Sequence, residues 1–380
     1  MTEEIVIVGG GTGGTVLANR LADHLDREIG AGEVAITLVN DTPDHVYKPG
    51  FLYVAFGQRE VADGVRPLRE LVDDRVELTI DRVTDVDTEA QRLSFAGGNT
   101  REYDHLVLAT GATLAPDEVP GFQEGAHHFY GADGAESLRD ALATFTEGRL
   151  VLSVIGVPHM CPAAPVEFVL MADDWFRQRG LREDIEITYT YPIQRAHGIE
   201  SVAEWATEEF EDRDIELATF VNPERVDAEA GALETMEGER LEYDLLVGIP
   251  PHTGSPLIAD AGLGEDGWVP VDNHTLAADD HDNVYAIGDA ADVPTSKAGS
   301  VAHYQAGVLA QRLASVVRGH HPTARYDGKT ICFIEAGMDR ATFLEFSYGD
   351  EPTVPTPSRT LHWSKLGYNE SYWLTAKGVL

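Results

Sequence analysis

Lysine is nearly missing: in 380 residues it occurs only at Lys48, Lys297, Lys329, Lys365 and Lys377. Basic residues of both kinds number 28 against 65 acidic ones, a net charge of -37, so no basic stripe exists to neutralise phosphates and nucleic acid is excluded as a partner. Cysteine is rarer still, with only Cys161 and Cys332. Two thiols that far apart in the chain build neither a disulfide scaffold, nor a structural zinc site, nor a local C-x-x-C motif. No His/Cys/Asp cluster has metal-ligand spacing, so no metal is expected. An unbroken apolar run of roughly 18 residues, the length that spans a bilayer, is also lacking. The chain enters an apolar strand at Ile5 without a secretory leader, which places the expected protein on the cytoplasmic side.

What remains is 43% hydrophobic, enough for two ordinary cores, which predicts two α/β domains and an appendage. Ile5 to Val8 is apolar throughout and leads through Gly9, Gly10, Gly11, Thr12, Gly13 and Gly14 into a helix with Val16, Leu17, Leu21 and Leu25 on one side. In this strand-turn-helix setting Gly9 and Gly11 let the backbone turn and approach a pyrophosphate held at the positive helix end. Gly14 lets helix and strand pack closely, so a dinucleotide is expected. After the second strand, Val34 to Val39, Asn40 precedes Asp41, which is read as the ribose-binding carboxylate. Lys48, beside prolyl and aromatic residues, either lines the cofactor or is solvated.

Val76 to Gly111 breaks into short alternating runs that end in Tyr103-Asp104 and in Thr110-Gly111. The cadence returns at Tyr243-Asp244, which predicts two nucleotide-fold domains of similar plan, each a parallel sheet interrupted by a β-meander. Only the first keeps a glycine fingerprint. A later strand closes on Gly288-Asp289, followed by Lys297 and a helix from Val301 to Val317. Here a buried aspartate would accept hydrogen bonds from a cofactor side chain, and the helix end would supply partial positive charge.

In the second domain the equivalent strand-to-helix turn, Ile155 to Glu167, carries Cys161 instead of glycines, with Pro158, Pro162 and Pro165 removing N–H donors. A second pyrophosphate, and with it NAD(P)H, is therefore not expected there. A turn before a helix N-terminus should lower the Cys161 pKa. Glu167 reads either as a proton acceptor for the incoming substrate or as a first-turn helix acid. His197 follows a strand and reads as a loop histidine, at the site or on the surface.

The glycine loop, Ala109-Thr110-Gly111 and Gly288-Asp289 resemble the two-dinucleotide-domain flavoproteins, which implies FAD as cofactor. Within that group Met160 to Glu167, the distant Cys332 and the closing Leu361-His362-Trp363-Ser364-Lys365-Leu366 are similar to sulfide:quinone oxidoreductases and flavocytochrome c sulfide dehydrogenases. The resemblance spans nearly the whole chain. It implies a Cys161–Cys332 redox centre beside the flavin ring, with Glu167, His197 and Lys365 in the catalytic set. Hydrosulfide attacks one sulfur, leaving a persulfide and a thiolate, and electrons pass through FAD to a membrane quinone. Many quinone-reducing members carry a third cysteine where this chain has His127-His128-Phe129-Tyr130, which bears on how long a polysulfide grows. The acidic, lysine-poor composition resembles that of proteins from salt-accumulating halophiles.

The expected division is 1–113 with 254–330 as the FAD domain, 114–253 as the second Rossmann-like domain, and 331–380 as a C-terminal segment serving membrane and quinone. Trp363, Leu366, Tyr368, Tyr372, Trp373 and Leu374 suit either a peripheral hold on the bilayer or packing against the flavin domain. Sulfide, quinone and the membrane surface are the expected partners, and a homo-oligomer is left open. The competing readings are a type II NADH:quinone oxidoreductase, which needs a second glycine fingerprint, a flavocytochrome-type dehydrogenase, which needs C-x-x-C-H, and a noncatalytic FAD-binding sulfur carrier.

Overall fold

The computed structural model describes residues 2–379. Five parallel strands form the first sheet, in the spatial order Val284–Ala286, His105–Leu108, Glu3–Val8, Val34–Asn40, Glu77–Ile80. Its central strand is apolar at every position from Ile5 to Val8 because both faces are covered. Ile5 and Ile7 pack against the glycine-loop helix Thr12–His24 and the long helix Gly299–Val317. Val6 and Val8 point the other way, onto the meander residues Val83, Val86, Leu93 and Phe95.

The second sheet repeats this plan with four parallel strands ordered Ile215–Thr219, Ile185–Tyr191, Gly148–Val154, Leu245–Ile249. Leu150, Leu152 and Val154 bury against the helix Ala164–Arg179, while Val151 packs with Val226 and Leu233 of a second antiparallel meander. The two aspartates that mark the sequence echo do the same work in each half. Asp104 Oδ2 accepts the Glu4 N–H at 2.7 Å, and Asp244 Oδ2 accepts the Arg149 N–H at 2.7 Å, so each ties the start of a central strand to its neighbour.

Past the long helix, Thr330–Glu335 and Ala341–Phe346 form an antiparallel hairpin. The chain closes with the helix Arg359–Ala376, whose first turn is capped by Ser358 Oγ accepting the Leu361 N–H at 3.2 Å. One side of that helix, at Lys365, Asn369, Tyr372 and Ala376, is buried on the rest of the molecule.

Candidate active site

The first sheet delivers its central strand into the glycine loop at the point where strand order reverses, the usual ligand crevice of such sheets. Gly9 has φ +112°, and a Cβ there would stand 2.3 Å from the Ala109 carbonyl oxygen; one on Gly14 would stand 1.9 Å from Gly9 O. Neither position admits another residue. Gly10 N–H is donated to Asn40 Oδ1 at 2.7 Å, so Asn40 braces the loop and Asp41 lies exposed just beyond it. Thr12 Oγ1 is 2.7 Å from the Tyr372 hydroxyl of the C-terminal helix.

Across the crevice, Gly288 N–H is held by Gln305 Oε1 at 2.6 Å and Lys297 Nζ donates to the Asp289 carbonyl at 2.8 Å. Burial pushes the Asp289 carboxyl up, and Lys48 and then Lys297 pull it back. Lys48 Nζ lies 3.7 Å from Met160 Sδ, which sets this lysine beside the Cys161 turn. Thr110 Oγ1, next to Gly111 at the same strand end, is buried with no hydrogen-bond partner among the described residues. A tight glycine cradle, an orphaned hydroxyl and a half-buried carboxylate under the influence of two lysines fit a dinucleotide whose pyrophosphate and polyol need N–H donors and hydroxyl partners.

Cys161 and Cys332 come from different cores: the first packs on the second sheet's cluster and the other on the cluster of the first sheet. Cys161 lies between the strand Gly148–Val154 and the helix Ala164–Arg179, in a left-handed backbone with φ +46° that a non-glycine residue holds only where the surroundings impose it. Its N–H is donated to Lys297 O at 2.8 Å, which pins the turn to the first half of the molecule. Cys332 projects from the hairpin strand opposite Leu344. The two thiols act electrostatically on one neighbourhood: Cys161 feels Glu167, Cys332 and Lys365, and Cys332 feels Glu167 and Lys365.

Helix-end stabilisation was the expectation for Cys161, and the structure reverses it. Burial dominates, with Glu167 and Cys332 adding to it, and the thiol is pushed far up; Lys365 and the Ala164 N–H at the helix start are smaller opposing influences. Cys332 is likewise raised by burial, to about 12. Both cysteines are free, and neither is fully enclosed.

Glu167 is in the first turn of its helix, as the helix-acid reading expects, and is also in a buried ion pair with Lys365. Its Oε1 further accepts the Glu335 N–H at 2.7 Å. Lys365 Nζ is 3.9 Å from Glu335 Oε1, which in turn accepts from Tyr53 OH at 2.7 Å, while His362 Nδ1 is 2.9 Å from Glu335 Oε2. Burial alone would lower the Lys365 pKa; Glu167, Tyr53 and Glu335 outweigh it and hold the ammonium protonated. Glu167 is raised by burial and drawn back by Lys365.

His197 is buried, not superficial, and its Nδ1 accepts the Ile199 N–H at 3.0 Å. Burial, with the neighbouring His159 next, lowers its pKa to about 4. His159 and His252 are the residues that sequence reasoning does not reach. Their rings are 6.2 Å apart, and both flank Tyr130, whose hydroxyl lies 3.4 Å from the Cys161 carbonyl oxygen. The available signal was the position of His159 two residues before Cys161; His252 gives none. Among the described residues no three His, Cys, Asp or Glu side chains group as metal ligands.

A parallel-sheet pair with one glycine cradle and one cysteine turn defines a dinucleotide-binding oxidoreductase, and the comparisons agree. Residues 3–310 match the model of the pyridine nucleotide-disulphide oxidoreductase family, and the chain belongs to that family, with FAD as cofactor. Within it, the whole-length likeness is to the sulfide:quinone oxidoreductases. The mitochondrial sulfide:quinone oxidoreductase of Mus musculus is 27% identical over 366 residues, 93% of this chain and 80% of that protein. The crystal structure of the sulfide:quinone oxidoreductase from Aquifex aeolicus superposes with a TM-score of 0.86 at 21% identity, over 99% of this chain and 92% of that one. Rhodocoxin reductase of Rhodococcus erythropolis is 31% identical over 307 residues, 78% of this chain and 67% of that protein.

Proposed function

We infer that this chain oxidises sulfide at a Cys161–Cys332 centre and passes the electrons through FAD to a membrane quinone. The observation that supports this reading is that the ion pair of Glu167 and Lys365 acts electrostatically on both thiols, which come from separate cores. In the oxidised centre, hydrosulfide attacks one sulfur, the S–S bond breaks, and the other sulfur leaves as thiolate. Lys365 is the cation that stabilises that thiolate in a site whose burial otherwise opposes it. Bound FAD supplies the two-electron acceptor that regenerates the centre. In this reading Glu167, paired with Lys365, exchanges the proton that sulfide brings. The proline-bearing turn without a glycine fingerprint supports a site that does not bind NAD(P)H.

The outward face of the closing helix supports contact with a bilayer: Trp363 is 70% exposed and Leu374 is 50% exposed, eleven positions apart on one side. No described helix is long and apolar enough to cross a membrane.

Anaerobic sulfide titration followed by flavin absorbance tests the centre. Wild type is expected to bleach and to recover its colour on adding a quinone, while Cys161→Ala and Cys332→Ala stay yellow. Bleaching of either variant at the wild-type rate would remove the dithiol from the mechanism. Bleaching by NADH would instead revive the type II NADH:quinone reading, and reduction by sulfide without quinone turnover would favour a sulfur carrier.

A further inference from the structure

Two buried imidazoles that flank Tyr130, next to the Cys161 turn, have acceptors that nothing among the described residues uses. His159 Nδ1 is 3.1 Å from the Met160 carbonyl oxygen and His252 Nδ1 is 2.8 Å from that of Pro250. The Tyr130 hydroxyl, 3.5 Å from His159 Nδ1, donates to the Cys161 carbonyl oxygen, and a carbonyl only accepts, so each Nδ1 carries the hydrogen and each Nε2 is left a bare lone pair. Both Nε2 atoms are buried without a hydrogen-bond partner among the described residues. His159 is 2% exposed and His252 7% exposed, and an unmet acceptor at that depth costs the full loss of its hydration.

We propose that His159 and His252 form a binding site for neutral dihydrogen sulfide, which reaches Cys161 undissociated with its S–H groups donated to the two Nε2 atoms. This rests on the sulfide reading above and specifies the form of the substrate. Dihydrogen sulfide brings two donors to two acceptors. The hydrosulfide anion would set its negative sulfur against the same lone pairs, in a buried place where an unpaired anion is costly. The step is binding only; both S–H bonds remain intact until the thiol centre is reached. Tyr130 joins the pair to that centre, packing edge-on against both rings with its hydroxyl near the Cys161 carbonyl oxygen.

The groups facing the pair do not titrate across the range in which dihydrogen sulfide ionises. Burial lowers His159 to about 4 and, with His159 beside it, His252 to about 3, so both are neutral acceptors. Of the other neighbours, His197 and His128 are lowered, Tyr130 and Tyr191 are raised, and both cysteine thiols are raised. Lys48, which acts on His252, and Arg195, which acts on His197 and Tyr191, are the cations at the margin.

The test is stopped-flow flavin bleaching by sulfide on the FAD-loaded enzyme across the first ionisation of dihydrogen sulfide. The second-order rate constant, per total sulfide, is expected to fall about tenfold per pH unit above that ionisation. His159→Phe and His252→Phe should raise the sulfide concentration at half-maximal rate roughly five- to tenfold each with a smaller effect on the limiting rate, and His252→Gln, which keeps an acceptor oxygen, should lie near wild type. A rate that rises with the hydrosulfide fraction, or phenylalanine variants with unchanged sulfide dependence, would overturn the inference while leaving sulfide oxidation intact. Wild type that sulfide does not bleach at all would remove both. Should a phenylalanine variant fail to retain FAD, the wild-type pH profile still decides.

Discussion

Lys365 is 7% exposed, yet it stays charged because Glu167 and Glu335 close around it and Tyr53 and His362 complete the Glu335 carboxylate. Removing one member of such a buried set leaves the others uncompensated, which costs more than the intact pair contributes. Lys365→Met is therefore expected to lower unfolding stability by about 3–5 kcal/mol in denaturant melts. The double variant Lys365→Met with Glu167→Gln should recover part of that loss, and strict additivity of the two would show that the pair is not coupled. Part of this set is legible in the chain: a scarce lysine among closing aromatics, and a glutamate one helical turn past a prolyl-cysteine turn. Glu335 is not, since only the hairpin register aims it at Lys365. His159 and His252 are equally silent, because their significance lies in which nitrogen the backbone occupies, and no spacing rule encodes that.

The C-terminal helix shows how an element's pattern can be legible while its use is divided. Its aromatic content suits either packing on the protein or contact with a bilayer, and the structure assigns the residues to opposite faces. Tyr372 turns inward, its hydroxyl 2.6 Å from His45 Nε2 and 2.7 Å from Thr12 Oγ1, so the helix is clamped against the glycine loop. Trp363 and Leu374 turn outward, on the side opposite the buried Lys365, Asn369 and Tyr372. Burying two such side chains in a bilayer interface contributes roughly 1.5–3 kcal/mol each. Trp363→Ser with Leu374→Ser should accordingly cut the vesicle-bound fraction at least about tenfold in co-sedimentation with uncharged phospholipid, leaving bleaching by soluble sulfide unaltered. Wild-type protein that stays in the supernatant at every lipid concentration would assign that face to something other than a membrane. The glycine-loop helix, by contrast, is fixed from the sequence outward, because the steric demand at Gly9 and Gly14 is local.

Over the whole molecule the two-sheet plan follows from the repeated aspartate cadence, and the surface acidity from composition, but the burial of histidines follows from neither. His45, His159 and His197 are each buried, and burial is the largest cause lowering each from 6.5 to about 4. An unfolded chain takes up a proton at each of these positions as pH drops below about 6.5, while the folded chain does not until about 4. The unfolded state thus binds more protons in that interval, and stability rises with pH across it. The contribution is fully present above about 6.5 and is lost progressively towards 4, up to roughly 3 kcal/mol for each histidine. Glu167 and Asp289 work in the opposite sense, since burial raises both and their protonation on acidification favours the folded state. With His252 lowered as well, to about 3, four buried imidazoles against two carboxyls leave acid as the destabilising direction. At fixed molar salt, which screens the repulsion among the 65 acidic residues, the melting temperature should fall steadily between pH 6.5 and 4. A His197→Phe variant should show a shallower fall than wild type, and a wild-type melting temperature that holds level over that interval would mean these imidazoles are already protonated, or reached by water, in the native fold.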